Sequence, residues 1–244
     1  IAGRDGAATA VHATENVVAS PFRFEIDGLT LMGLIDGFED AGGMEGTGVD
    51  YLSKDGKPRP EVSAKYFKAA GYASGKYEGT EELLMVGSNA GVAAKTAEVV
   101  KENLESMGFK VQMRLVAQNT MYTRYCNTPS ANVAVCPNVG WLKDFSDGQT
   151  ILSPTFAGKN ILEQGNSNWG ELDDPKINDA IDKAEVLPKE ERPAAWGAID
   201  KMIVEQMPAI PWIWDKTPLI QSANVNAVAT QANGYWSLEW SSLK

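Results

Sequence analysis

Cysteine and histidine are nearly missing from this 244-residue chain, which has two cysteines, Cys126 and Cys136, and one histidine, His12. Two thiols with no histidine near them cannot complete a four-ligand zinc site, so no metal site and no cofactor is expected. Basic residues are also short. With 22 Lys and Arg against 32 Asp and Glu the net charge is −10. That excludes nucleic acid or an anionic membrane surface as the main partner, because both need a basic face to displace counterions. The acidity suits a cationic or zwitterionic ligand, and equally serves only to keep the protein soluble. No stretch reaches the roughly 18 apolar residues of a membrane-spanning helix. The N-terminus, IAGRDGAATAVHATENVV, has no basic region followed by an apolar core and does not read as a signal peptide. There is no phosphate-binding glycine loop, no G-x-S-x-G and no H-E-x-x-H, so an enzyme is not expected.

With 43% hydrophobic residues the chain can build a sizeable core as one large domain or two small ones. The clearest part is its middle. LLMVGS (83–88) reads as a buried strand, and Ser88 or Asn89 is placed to cap the helix after it. Ala93, Ala97, Val100, Leu104 and Met107 give that helix one apolar face, and Gly108 ends it. FKVQMRLV (109–116) alternates as a half-buried strand does, which makes the unit a right-handed parallel crossover. Residues 119–125 suggest a short helix, and ANVAVC (131–136) a further strand.

Earlier, GLTLMGLIDGF (28–38) is a short helix or a strand pair, and GGMEGTG (42–48) is a loop. KDGKPRP (54–60) is turn chemistry, with two prolines set against a helix. A helix then runs to Gly71 as its C′ residue. Later, Pro175 to Leu187 forms a helix that Asp173 or Asp174 caps, and Glu190 to Met207 a second with a Trp196, Ile199, Ile203 and Met207 stripe. AIPWIWD (209–215) is a strand.

The segment CPNVGWLKDFSD (136–147) combines a backbone break, an aromatic surface and carboxylates at the carboxyl end of the expected 131–136 strand, where α/β sheets hold ligands. Trp141 has two roles open to it, stacking on a ligand or locking the strand end. Asn138 is a ligand hydrogen-bonding group or a turn residue. Asp144 is a ligand carboxylate or a helix cap, whereas Asp147 reads as the cap of a helix over 148–152. Trp169, in the loop GNSNWG, is expected to be an exposed contact, while Trp196, Trp212 and Trp214 are packing residues. Cys126 and Cys136 either form a disulfide worth about 3 kcal/mol by chain-entropy arithmetic or stay reduced and buried. A disulfide would imply an extracytoplasmic location.

Three stretches, in this order, resemble the second half of the family 5 extracytoplasmic solute-binding proteins, the peptide/nickel group serving ABC importers. They are Ala70-Gly71-Tyr72 with Gly75; Gly140-Trp141-x-x-Asp144-Phe145; and an acidic Glu191-Arg192 helix containing Trp196 and running into Pro208-x-Ile210-Pro211. Together they span residues 60–225. Family members are about twice this length and begin with a signal peptide and another lobe.

The resemblance implies an α/β, periplasmic-binding-protein-like lobe of the type II, oligopeptide-binding kind, with a central mixed, largely parallel sheet flanked by helices. Residues 1–207 would be the second, C-terminal lobe, and 208–244 a return segment towards a missing first lobe. It also implies a role as the solute-binding component of an importer, with a peptide or other small cationic or zwitterionic ligand and a membrane permease as partners. The full-length parent would be extracytoplasmic, in the periplasm or at the cell surface, and membrane-anchored as a lipoprotein. On this resemblance the carboxylate of Asp144 pairs with a ligand α-ammonium group, and Asn168-Trp169 matches an Asn-aromatic pair. Alternative ligands are a metal chelate, haem or an oligosaccharide. A rival of another class is a hydrolase fragment using Asp144 and Asp147 as paired carboxylates.

Overall fold

The computed structural model describes residues 15–19, 60–141, 144–145, 147–206, 208–214, 220–229 and 235–244. His12, the 28–38 and 42–48 segments, residues 54–59 and Met207 lie outside these.

The crossover is as expected. Strand β2 (Glu82–Ser88) is buried along most of its length, helix α2 spans Gly91–Ser106, and β3 (Lys110–Val116) pairs with β2 in parallel, Leu83 opposite Val111 and Val86 opposite Arg114. Ala97 and Val100 are buried and Leu104 and Met107 pack beside them, in a cluster with Phe67, Met85, Phe109 and Val135. Helix α2 ends in a complete Schellman motif. Phe109 N–H bonds Leu104 C=O at 3.1 Å and Gly108 N–H bonds Glu105 C=O at 3.0 Å, around Gly108 at φ +100°. Neither Ser88 nor Asn89 caps the other end. Ala90 is the N-cap residue with no side-chain bond, and the Ser88 hydroxyl accepts from Ala90 N–H one residue too early.

Helix α1 (Pro60–Ala69) closes in the same way on Gly71, with Tyr72 N–H on Phe67 C=O at 2.9 Å. Its first residue is Pro60. The second proline of KDGKPRP therefore opens a helix where it was expected to bar one, because the first helical position needs no N–H donor.

The larger correction concerns ANVAVC. Pro129–Ala131 is a 3₁₀ turn, Asn132 takes a left-handed φ of 51°, and only Val135 bridges to Met85 of β2. The strand proper, β4, is Cys136–Trp141. It runs through Pro137 and Gly140, where the sequence suggested a backbone break. β4 lies antiparallel to β1 (Glu15–Ala19), Val17 opposite Val139 and Ala19 opposite Cys136. The irregularity between Val17 and Ala19 falls at Pro137, where a missing donor is tolerated. β5 (Ala209–Trp214) flanks β1 on its other side, giving the order β4-β1-β5. The sheet system is thus mixed: parallel at β2-β3 and at the Met85–Val135 bridge, antiparallel around β1.

Helix α3 (Gln118–Met121) runs on into a π-helical turn, Tyr122–Cys126. After β4, helices α4 (Gln149–Phe156), α5 (Pro175–Glu185) and α6 (Arg192–Gln206) pack around Leu152, Ile177, Ile181, Trp196, Ile199 and Ile203. Pro175 opens α5, and the Asp174 carboxylate caps it by accepting from Lys176 and Ile177 N–H. Short strands β6 (Val225–Asn226) and β7 (Ser242–Leu243) pair with each other. Among the described residues no helix is long and apolar enough to cross a membrane.

Candidate functional site

Cys126, at the end of the π turn, and Cys136, at the start of β4, are joined by a disulfide with Cα atoms 6.0 Å apart. The same turn grips β4 a second time. The Tyr122 hydroxyl accepts from Gly140 N–H at 3.0 Å and donates to Asn138 C=O at 3.4 Å. Burial holds the Tyr122 phenol above its ordinary pKa, against the lowering effect of the Gly140 bond. A third link comes from Asn127, whose side-chain oxygen accepts the Trp169 indole N–H at 2.8 Å while its backbone carbonyl accepts Asn166 N–H at 3.1 Å. One π turn therefore positions both the Gly-Trp strand and the 166–169 loop.

That loop folds on two asparagines. Asn168 is fully buried. Its amide nitrogen donates to Ala157 and Leu172 C=O, its oxygen accepts Leu172 N–H, and Asn166 bonds it from both sides. Trp169 is correspondingly only 6% exposed, so the exposed-contact expectation is wrong: tethered by Asn127, it underlies the site as a buried ring. Trp141 is half-buried, its indole N–H donates to Thr150 C=O at 2.9 Å, and its ring centre lies 6.3 Å from that of Trp169. Tyr122 is 6.2 Å from Trp169 on the other side. Tyr122, Trp169 and Trp141 thus form a row of rings beside β4. Asn138 is held at φ +67°, and its side-chain oxygen is buried without a hydrogen-bond partner.

The two carboxylates that follow differ sharply. Asp147 is committed to the fold. Its Oδ1 accepts Gln149 N–H, the first donor of α4, at 2.9 Å from one residue ahead of the N-cap Gly148, where the sequence suggested Asp147 as the cap itself, and Arg192 of α6 grips both oxygens, Nε to Oδ2 at 2.6 Å and Nη2 to Oδ1 at 3.1 Å. Arg192 also donates to Glu185 C=O at 3.0 Å. Burial would raise the Asp147 pKa. The Arg192 hydrogen bonds, the Gln149 N–H, the Arg192 charge and the nearby Trp196 indole outweigh it and hold the carboxyl below its ordinary value. The indole acts from outside hydrogen-bonding geometry, since Trp196 Nε1 has no partner within it.

Asp144 is exposed, as is its neighbour Phe145. Its backbone N–H donates to Thr150 Oγ1 at 2.7 Å and the same hydroxyl reaches Asp144 Oδ2 at 3.4 Å. It therefore does not cap α4 through a backbone N–H, and no cation among the described residues pairs with it. The Arg192 ion pair removes Asp147 as a proton-donating partner of Asp144. Among the described residues no group of three or more His, Cys, Asp or Glu side chains could hold a metal ion.

Sequence reading did not reach Tyr122, Asn127, Thr150 or the role of Arg192. One signal was available. A cation in the first turn of a helix opposes the helix dipole, so Arg192 at the start of α6 called for a carboxylate partner.

No protein-family profile and no curated protein sequence matches the chain. Solved structures do, and the fold they share with it is that of the periplasmic binding proteins. The clavulanic acid biosynthesis oligopeptide binding protein 2 matches with a TM-score of 0.78 at 18% identity over 96% of this chain and 47% of its own. A dipeptide binding protein from Pseudoalteromonas sp. SM9913, in complex with Met-Leu, matches at 0.69 and 17% identity over 96% of this chain and 49% of its own. The periplasmic binding protein DppA from Helicobacter pylori, in complex with the peptide STSA, matches at 0.64 and 14% identity over 84% and 42%. The chain spans about half the length of these proteins.

Proposed function

We propose that this chain is one α/β lobe of an extracytoplasmic solute-binding protein of an ABC importer, binding a short peptide or related ammonium compound and presenting it to a membrane permease. The observation that carries this reading is the contrast between neighbouring carboxylates. Asp147 is neutralised by Arg192, while Asp144 stands beyond the end of the Trp141 strand with no cation paired to it among the described residues. A carboxylate near an aromatic surface, with no cation among the described residues paired to it, suits a ligand ammonium group, and enclosure between two lobes would strengthen that pair well beyond a surface salt bridge. The solved structures with peptide ligands support the ligand class.

In this reading residues 1–207 belong to the second lobe and 208–244 lead back towards the first, which would supply the opposite wall. Trp141 contributes the ligand-facing surface, Trp169 backs it, and Asn138, with its side-chain oxygen buried and its carbonyl held by Tyr122, shapes the strand beneath. The ligand bridges the lobes and shifts an open–closed equilibrium that the permease reads. The disulfide is in keeping with an extracytoplasmic location, and the full-length protein would be held at the membrane as a lipoprotein.

The test is calorimetry on the full-length protein with trialanine and its N-acetyl derivative. Asp144→Ala should weaken the free-amine peptide by about tenfold or more and leave the acetylated one nearly unchanged. Equal losses for the two would remove the ammonium role.

A further inference from the structure

One recurring way for a protein to take an extended peptide is to add it as a strand to an open sheet edge, where main-chain bonds give the affinity. β4 is the strand nearest Asp144 and the natural edge for such pairing. One side of it is taken by β1, Asn16 opposite Gly140 and Val17 opposite Val139. On its other side, the Asn138 C=O and the Gly140 N–H point together at a single atom, the Tyr122 hydroxyl. A strand added antiparallel to β4, as one running back from Asp144 would be, engages this carbonyl and this N–H with two successive hydrogen-bonded residues. The hydroxyl accepts from one and donates to the other, so it occupies both positions from within the protein.

Three features hold it there. Tyr122 lies in the π turn whose last residue, Cys126, is covalently tied to Cys136 of β4. Its ring packs against buried Trp169. Leaving would strand a Gly140 N–H and an Asn138 C=O in a partly buried setting.

We propose that Tyr122 is a specificity-determining plug. It denies the ligand main chain a place on β4, so that the ligand is held by its ammonium end and its side chain and not by strand addition. This rests on the solute-binding reading above and narrows its ligand class to small ammonium compounds, with no affinity gained from further peptide groups along this strand.

The experiment is a length series on the full-length protein: alaninamide and the amides of di-, tri- and tetra-alanine, which keep one ammonium group and vary only the number of peptide groups. Calorimetry on the wild type should give dissociation constants within about threefold of each other. Tyr122→Phe keeps the ring and frees both positions, and should introduce a length dependence of about three- to tenfold for the residues that reach them. A wild-type affinity that climbs steadily with length overturns the proposal, whether or not Tyr122→Phe folds. So does a variant series as flat as the wild type. A different failure marks the parent reading: if no member binds, or if N-acetylation is without effect in the wild type, the solute-binding role of Asp144 falls first.

Discussion

Asp144 and Asp147 sit three positions apart in the sequence, yet the first is exposed with no cation among the described residues paired to it, and the second is clamped by Arg192 and bonds the first N–H of α4. Both are acidic residues near a helix start, and either could have been the cap. What separates them is a partner 45 positions away in sequence. The lesson is that a carboxylate's role in the fold is decided by which cation the fold brings to it, and on the proposed function the one left over serves the ligand. The same division runs through the wider site. The 147–150 and 166–169 segments are tied down by buried polar groups, while the 144–145 segment is exposed.

The strongest way to break this division is at the tied-down side. Asn168→Ala deletes the hub of the 157–172 loop and strands several buried backbone groups. Destabilisation of about 3 kcal/mol is expected by denaturant unfolding, with Trp169 fluorescence shifting as its loop loosens. A change below about 0.5 kcal/mol would show that the loop is not held by this side chain. Asp147→Ala comes next, since it removes the bond to the first N–H of α4, at about 1 kcal/mol, together with the Arg192 bond, and should lower the melting temperature.

The pH profile sharpens the point. Because the folded Asp147 carboxyl is held below its ordinary value of 3.8, its contribution is fully present above that pH and is lost as pH falls through the folded value. Asp147→Asn should therefore flatten the acid limb of the stability curve, and an unchanged limb would remove Asp147 from it. Smallest is Trp141→Phe, which keeps a ring but loses the bond to Thr150 C=O. About 1 kcal/mol of stability is expected to go, checked by thermal unfolding.

The crossover β2-α2-β3 was legible because its signals are local: an apolar run, a 3.6-residue stripe, a glycine and an alternating strand follow each other directly. The capping of α5 was legible for the same reason, to within the choice between Asp173 and Asp174 that the structure settles for Asp174. β4 was misread because Pro137 and Gly140 are strand breakers by local rule, and only its antiparallel neighbour β1 makes them acceptable. β1 itself, ENVVA, carries too little pattern to announce a central strand, and its partners come from distant parts of the chain. At the site, Asp144, Trp141 and Asp147 could be singled out from the motif they share. The burial of Trp169 could not, since it depends on Asn127 and on the Asn166–Asn168 fold of a loop whose polar composition reads as exposed. Tyr122 was hidden because a tyrosine in a short helix gives no sign that its hydroxyl will meet a strand.

The most direct measurement sets Asp144→Asn beside Asp147→Asn in the full-length protein, recording for each the melting temperature and the ratio of trialanine to N-acetyl-trialanine affinity. The account predicts a crossed result: Asp144→Asn melts like the wild type and loses its preference for the free amine, whereas Asp147→Asn melts lower and keeps that preference in its folded fraction. Parallel behaviour of the two variants in both readouts would contradict it.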